Sequence, residues 1–346
     1  MEDGNMVEQI FIGGTGRSGT TILGRILSYH KDIFVFPFET RFIVDPDGLI
    51  TLALSLSEYW DQYKSDLAIK RFRQLMSKLY PSSVNYKLRL GLYLILPKLH
   101  ISPPEYTYAM ARQWRGEEFF SYARAPFSPF ISRTEYFRRL DEFINTLIVR
   151  EFEGFWLGTP SFRFRPRIYV TKRFKRDEIF RISRNYVNSL FQPILRKYNK
   201  KIWADHTPTN ILHASLLCEM FPDCKIIHIH RDLRDVVASY LTKHWGGNTV
   251  EDATHTIKFI LEKWEEEKQK LDTDKYLEIS LEELVQNKEK TLSKLSEFLN
   301  IEFDENMLKV DLSRSNLGRW KRDLTDEEAK FVERTLNEFM ELYGYL

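Results

Sequence analysis

Apolar positions along the chain change their period several times, and each change marks an element. Glu8 to Ile12 holds an unbroken apolar run, Ile10-Phe11-Ile12, that predicts a short strand buried on both faces, running into a glycine-rich turn. From Thr20 to Tyr29 the period lengthens, with Ile22, Leu23, Ile26 and Leu27 at helical spacing, so the opening reads as strand, loop and helix. Ile33 to Phe36 is a second strand, and Pro37-Phe38-Glu39-Thr40-Arg41 follows at what would be its carboxyl end. Open α/β sheets bind ligands along that edge.

Between about Thr51 and Lys200 the pattern is helical, interrupted by Pro81, Pro97, Pro103-Pro104, Pro126, Pro129 and Pro160 amid many Phe, Tyr, Trp and Arg. No clean linker or repeat bounds this stretch, so 51–200 is expected to be a helical insertion, a lid or cap on a single domain spanning 1–346. Alternation then returns. Lys225 to His230 predicts a strand, Arg231-Asp232-Leu233-Arg234-Asp235 leads into a helix through Val236, Val237 and Tyr240, and Val250 to Leu271 is a long amphipathic helix containing Trp264. Tyr276 to Ile279 reads as a strand and Leu281 to Leu299 as a helix with Leu284, Leu292, Leu295 and Leu299 on one side. Thr325-Asp326-Glu327-Glu328 resembles a capping box and opens a last helix to Tyr343. The fold class is therefore α/β, a central and mainly parallel sheet flanked by helices.

Composition narrows the function without choosing it. The 346 residues are 43% hydrophobic and 29% charged, enough to fill a core. A formal charge of +2 gives no bulk electrostatic case for a nucleic-acid partner. Cys218 and Cys224 lie six apart around a Phe-Pro-Asp turn, which suggests buried thiols and neither a disulfide framework nor a zinc site, so no metal is expected. The acidic opening Met1-Glu2-Asp3-Gly4 is unlike a secretory signal. The longest apolar tract, Leu88 to Leu96, is interrupted by Arg89 and stops at Pro97, short of the roughly 20 residues of a membrane span. A cytoplasmic protein without a membrane span is the expectation.

The chemistry concentrates in GGTGRSGTT, residues 13–21. A Walker A loop reads GxxxxGK[ST], its backbone N–H groups wrapping phosphates while the lysine reaches the terminal ones. Gly14 and Gly19 keep that spacing, but Thr20 replaces the lysine, and the cation present is Arg17, inside the loop. Backbone amides and the helix dipole still favour an anion, and a guanidinium fork suits phosphate or sulfate oxygens. The strand to His230 is followed by Arg231 before any acid, where a Walker B strand would end in a magnesium-binding carboxylate. Ser239 lies eight residues beyond Arg231, early in the next helix, so the two can converge on one phosphate. Two anion sites suit a nucleotide with a group at its 5′ end and a separate phosphate on the ribose better than a linear triphosphate.

TGRSGTT at 15–21 and RDLRDVVASY at 231–240 resemble the 5′-phosphosulfate loop and the 3′-phosphate element of sulfotransferases that use 3′-phosphoadenosine 5′-phosphosulfate. TPTN at 207–210, the segment 276–301 and SNLGRWKRDLT at 315–325 are similar to later family segments in order and spacing, and the middle of the chain is not matched. The resemblance implies a P-loop-like three-layer sulfotransferase fold with a large helical insertion, and a sulfuryl transfer from that donor to an acceptor hydroxyl or amine, with no metal required. It implies donor contacts from Gly14, Thr15, Gly16, Arg17, Ser18, Gly19, Thr20 and Thr21 in the loop and from Arg231 and Ser239. Arg319, Trp320 and Lys321 are plausible closing contacts, the indole for a purine and the cations for the ribose phosphate, against a reading as surface charge beside a packed ring. Leu281 stands in ISLEEL, where relatives have a tyrosine near the strand–helix turn.

For the base that takes the acceptor proton, Glu39 resembles the glutamate of a similar Glu-Thr-Arg stretch in the tyrosylprotein branch; the alternative is a salt bridge to Arg41 or Arg17. Arg17 is the candidate for stabilising the leaving group, and Ser239 for dividing its hydrogen bond between the ribose phosphate and the reacting centre. His206 stands where many relatives have lysine, as a second base, a donor to sulfuryl oxygens, or a ring packed near Trp203. The basic run from Arg163 to Arg184 is either a solvated face or a mouth for an anionic acceptor, and aromatic residues from Trp114 to Phe130 with Phe152, Phe155 and Trp156 are either core or an acceptor pocket. The acceptor class stays open among small molecule, carbohydrate, lipid and peptide, as does the oligomeric state. Two rival readings are a P-loop nucleotide kinase or phosphoryl transferase and a non-catalytic binder of nucleotides or anions.

Overall fold

The computed structural model describes residues 8–80, 127–154, 156, 167–243 and 246–346. In chain order these form β1 (Gln9–Gly13), α1 (Thr20–Leu27), β2 (Ile33–Val35), α2 (Leu49–Leu56), α3 (Gln62–Lys78), α4 (Arg133–Leu147), β3 (Arg150–Glu153), β4 (Arg167–Val170) and α5 (Arg176–Tyr198). There follow β5 (Ile202–Asp205), α6 (Ala214–Met220), β6 (Cys224–His230), α7 (Leu233–Tyr240), α8 (Val250–Lys268), β7 (Tyr276–Ser280), α9 (Leu281–Gln286), α10 (Lys288–Phe298), α11 (Trp320–Asp323), α12 (Asp326–Thr335) and α13 (Asn337–Leu342). The chain divides into two compact units, residues 1–39 with 195–346, and residues 40–194.

The first unit is built on a five-stranded sheet of order β2-β5-β1-β6-β7 whose strand pairs are all parallel. The apolar run of β1 is needed because helices cover both of its faces. Ile10 and Ile12 pack with Leu23, Ile26, Leu27, Leu284 and Leu292 on one side, while Phe11 meets Trp203 and Phe221 edge-on or tilted at 5.4 Å on the other. A further core joins α7, α8, α12 and α13 through Val237, Ile257, Val332 and Met340. The expected α/β fold, a parallel sheet between helical layers, is what the chain adopts.

Several boundaries differ from the sequence pattern. β5 was not foreseen: its four residues, IWAD, are too short to declare a period, yet they occupy the position between β1 and β2. The stretch 281–299 is two helices, because Asn287 leaves helical geometry at φ −127°, ψ 49° and stands at the end of one and the start of the other. The last helix also breaks, at Leu336, while its capping box at Thr325 and Glu328 forms on both arms. Cys218 and Cys224 are free thiols with sulfurs 3.4 Å apart, Cys224 buried and Cys218 half-buried.

Residues 40–194 hold α2, α3, α4, most of α5, and an antiparallel hairpin, β3 with β4, that the helical expectation missed. The hairpin escaped notice because all four residues of β3 are exposed, so no face of it carries an apolar alternation. Its anchor is the buried Asp66 of α3, which is paired with Lys70 at 2.7 Å and accepts hydrogen bonds from Tyr169 N and Trp156 Nε1. Phe143 stacks on Tyr186 at 4.3 Å and Phe72 meets Phe143 edge-on, forming the core of this unit. In the basic run, Arg167 pairs with Glu151, Lys172 with Glu178 and Arg176 with Glu58. The tract Leu88–Leu96, the prolines at 81, 97, 103, 104, 126 and 160, the aromatic residues from Trp114 to position 126, Phe155 and the run's first residues from Arg163 lie outside the described residues. Among the described residues no helix is long and apolar enough to cross a membrane.

Candidate active site

The loop between β1 and α1 takes its shape from residues that tolerate positive φ. Gly16 lies at φ 76°, Arg17 at 58° and Gly19 at 114°, left-handed conformations of the kind found in anion-binding backbone concavities. Arg17 is the exception among them, since a side chain in the left-handed region costs of order 1 kcal/mol and is retained where surrounding structure enforces it. Gly14 has no room for a side chain: a Cβ there would sit 2.3 Å from Ser18 Oγ and 2.6 Å from the Ile229 carbonyl. Gly19 is the N-cap of α1, so the first amides of that helix open onto the loop.

The strand-end element meets this loop directly. Ser239 and Tyr240, at the end of α7, reach across more than two hundred residues of sequence: Arg17 Nε–H donates to Ser239 Oγ at 3.0 Å, and the Tyr240 hydroxyl donates to the Thr15 carbonyl. Burial pushes the Tyr240 hydroxyl up to about 12, which keeps it a donor. Arg231, just past β6, is buried and gives Nε–H and Nη2–H to Asp235 Oδ2 at 3.2 and 2.7 Å. Its Nη2 also donates to the Asn316 carbonyl. The buried Asp235 carboxylate then accepts the backbone N–H of Gly318 at 2.7 Å and of Trp320 at 2.9 Å, so one side chain orders both the guanidinium and the loop 316–320.

These parts enclose a cleft of about 270 Å³ lined by Arg17, Gly19, Thr20, Thr21, Arg231, Ser239 and Arg319 among the residues expected from the sequence. Four arginines, Arg17, Arg231, Arg314 and Arg319, line it, with Ile22 and Leu281 as apolar members of its wall. Arg314, Ser315 and Asn316 were missed by sequence reasoning; the signal was present as SRSN immediately before the LGRW stretch. Arg319 pairs with Asp323 at 2.6 Å. Trp320 and Lys321 are not part of the wall: the indole lies under the Arg234 guanidinium at 4.2 Å, and Lys321 is exposed. Gly14, Thr15, Gly16 and Ser18 form the loop behind the wall, where Thr15 and Ser18 are buried.

Glu39 and His206 stand elsewhere on the sheet's carboxyl edge, outside that wall. Glu39 is half-buried, four residues past β2. His206 follows β5 and packs against α1, where a Cβ on Gly24 would lie 2.9 Å from its ring; its buried Nδ1 has no hydrogen-bond partner among the described residues. Asp205, the last residue of β5, is an acid at the end of a strand adjacent to β1, on the side opposite to the strand inspected in the sequence. Its carboxylate accepts from Thr207 Oγ1 at 3.0 Å and Asn210 Nδ2 at 2.9 Å. Among the described residues no group of three or more His, Cys, Asp or Glu is placed to hold a metal ion.

Residues 155–305 match the model described as the sulfotransferase family. No curated protein matches the chain. Solved structures similar to it include a sulfotransferase domain from the curacin biosynthetic pathway, at 13% identity and TM-score 0.49 over 96% of this chain and 99% of that one. A sulfotransferase from Mycobacterium avium is similar at 12% identity and TM-score 0.42, over 98% of this chain and 78% of that one. The family match thus rests on residues 155–305, a stretch that includes β6, α7 and β7 and does not reach the loop 13–21.

Proposed function

We propose that the cleft binds 3′-phosphoadenosine 5′-phosphosulfate and that the protein passes its sulfuryl group to an acceptor hydroxyl or amine. The observation that carries this reading is that two anion-binding segments, 13–21 and 231–239, line one cleft and are joined by the Arg17–Ser239 hydrogen bond. A donor with phosphate at two separate positions is the ligand class that uses both. The loop amides and Arg17 would take the 5′ phosphosulfate end. Arg231, Ser239, Arg314 and Arg319 would take the ribose phosphate, and Ile22 and Leu281 offer an apolar face to a purine. Trp320 and Lys321 support that wall from outside it.

When bound, the donor supplies a sulfur attached to a good leaving group. In-line attack by the acceptor oxygen or nitrogen forms the new bond to sulfur as the bond to the bridging oxygen breaks, leaving adenosine 3′,5′-bisphosphate. Glu39 is assigned to take the acceptor proton, and Arg17 to stabilise charge on the departing phosphate. His206 is next in line as base, and Ser239 is assigned a bond to the donor at either end. The acceptor class in this reading is a small molecule, a carbohydrate or a peptide.

The test has two arms. Glu39→Gln is expected to keep affinity for adenosine 3′,5′-bisphosphate while turnover falls at least about a hundredfold, the usual scale for a lost general base; retained turnover moves the base to His206. Incubating the protein with the donor and a cell extract, followed by mass spectrometry, identifies the molecule that gains a sulfuryl group. Asp205, beside β1, is the observation that favours a magnesium-dependent kinase instead. Against it, Thr20 stands in the lysine position and Asp205 already accepts from two side chains. A larger thermal shift with ATP and magnesium than with the bisphosphate would reverse the choice.

A further inference from the structure

Arg231 lines the cleft, and the residues on either side of it are tied together by a chain of hydrogen bonds running behind it. His230 Nδ1 lies 2.9 Å from the Tyr345 hydroxyl. That hydroxyl lies 2.8 Å from Glu282 Oε2, and Glu282 Oε1 accepts the backbone N–H of Asp232 at 3.0 Å. Ser280 Oγ donates to Glu282 Oε2 as well, at 2.9 Å. A carboxylate only accepts, so Tyr345 must donate its proton to Glu282. Its oxygen is then left as an acceptor, and His230 must be the neutral tautomer with hydrogen on Nδ1. Tyr343 holds the same imidazole from its face, ring on ring at 4.2 Å and 15° between planes. Burial, with His228 nearby, pushes His230 down to about 3, so the ring stays neutral through the physiological range.

We propose that Tyr345 is a positioning residue for the ribose-phosphate end of the donor site. It lies outside the cleft wall, and it acts by fixing His230 and Asp232, hence the backbone from which the Arg231 guanidinium projects. The inference rests on the donor reading above. It assigns a role to a hydroxyl more than a hundred residues away in sequence from the arginine it serves, and it predicts a loss of donor affinity with no loss of chemistry at saturation.

Three proteins test it: the unaltered chain, Tyr345→Phe, which keeps the ring and removes the bridge, and Glu282→Gln. In Glu282→Gln the two links through Tyr345 can reverse, the amide donating to Tyr345 and Tyr345 to His230 Nδ1 in its other tautomer, while the amide oxygen still accepts from Asp232 N–H, so a smaller loss is expected. Isothermal titration with adenosine 3′,5′-bisphosphate should show binding about fivefold weaker in Tyr345→Phe, the scale of one net hydrogen bond. Donor KM should rise with kcat held. The ¹⁵N shifts of His230 should report hydrogen on Nδ1 in the unaltered protein and on Nε2 in Glu282→Gln. An Nε2 tautomer in the unaltered protein overturns the proposal without any variant having to fold. If the unaltered protein binds the bisphosphate and Tyr345→Phe binds it equally well, this inference alone fails. If the unaltered protein does not bind it, the donor reading fails and takes this inference with it.

Discussion

The two ends of the cleft are built from different materials. At the 13–21 end the backbone carries the proposed binding: Gly16, Arg17 and Gly19 at positive φ and the N-terminus of α1 shape the loop, and only Arg17 adds a charged side chain to the cleft wall. At the 231–239 end the proposed binding falls to side chains, with Arg231 and the loop 316–320 both held by the one buried carboxylate of Asp235. A backbone cradle cannot be titrated or screened away, but it fails on a single added carbon. A side-chain cradle tolerates bulk, yet it depends on protonation and on every partner being present. In this reading one end relies on backbone donors and the other on charged side chains.

The sharpest way to break this contrast is Gly14→Ala. Its Cβ would sit 2.3 Å from Ser18 Oγ and 2.6 Å from the Ile229 carbonyl, so the loop must move. Overpacking of this kind costs about 1–3 kcal/mol, and bisphosphate binding is expected to vanish in titration alongside a lower melting temperature. A variant that binds normally would show that the loop backbone is not the cradle.

Next in size is Arg17→Gly, which separates backbone from side chain at one residue. Glycine accepts φ 58° without strain, so stability should hold or rise by up to about 1 kcal/mol. Turnover should fall by about 10²–10³, as for loss of one preorganised donor. Steady-state kinetics beside a melting curve reads both, and unchanged turnover would leave Arg17 only an anchor.

Arg231→Ala probes the other end. Losing a charged donor is worth about 1.5–3 kcal/mol, or about tenfold to a hundredfold in bisphosphate affinity. Because Asp235 would remain buried with two backbone donors but no cation, stability should drop by about 3 kcal/mol, seen in denaturant melts. Unaltered affinity would remove Arg231 from the site.

A pH effect on stability, spread over several units, reaches the buried ring behind Arg231 without touching the cleft. His230 titrates at 6.5 when free and at about 3 in the fold, mainly through burial, so the unfolded chain takes up a proton that the folded one refuses. Stability should therefore fall as pH drops from about 6.5 toward 3, by at most about 1.4 kcal/mol per unit. Glu278 adds its own loss only below about 4.5. Burial opposes its ionisation, but hydrogen bonds from His228 and Trp264 and the charge of Lys268 hold it at about 2. Melting temperatures flat between pH 6.5 and 5 would contradict the burial of a neutral imidazole behind Arg231.

What could be read from the chain alone was whatever depends on near neighbours. The apolar run of β1, the helical spacing of α1, the Thr325 capping box, the left-handed turns that glycines permit and the absence of a loop lysine are all local, settled within a few residues of themselves. They were enough to point to an α/β fold with a mainly parallel sheet. Tertiary structure decided the rest, because pairing in a parallel sheet joins distant segments whose order no local period encodes. It alone seated the four residues of β5 beside β1 and so brought Asp205 next to the loop strand, let Arg314 reach the cleft, set Trp320 under Arg234, and brought the Cys218 and Cys224 sulfurs within 3.4 Å. The same holds for Tyr345: nothing in its neighbourhood of sequence points to Arg231, and only the packing of the final residues against β6 and β7 puts its hydroxyl between His230 and Glu282.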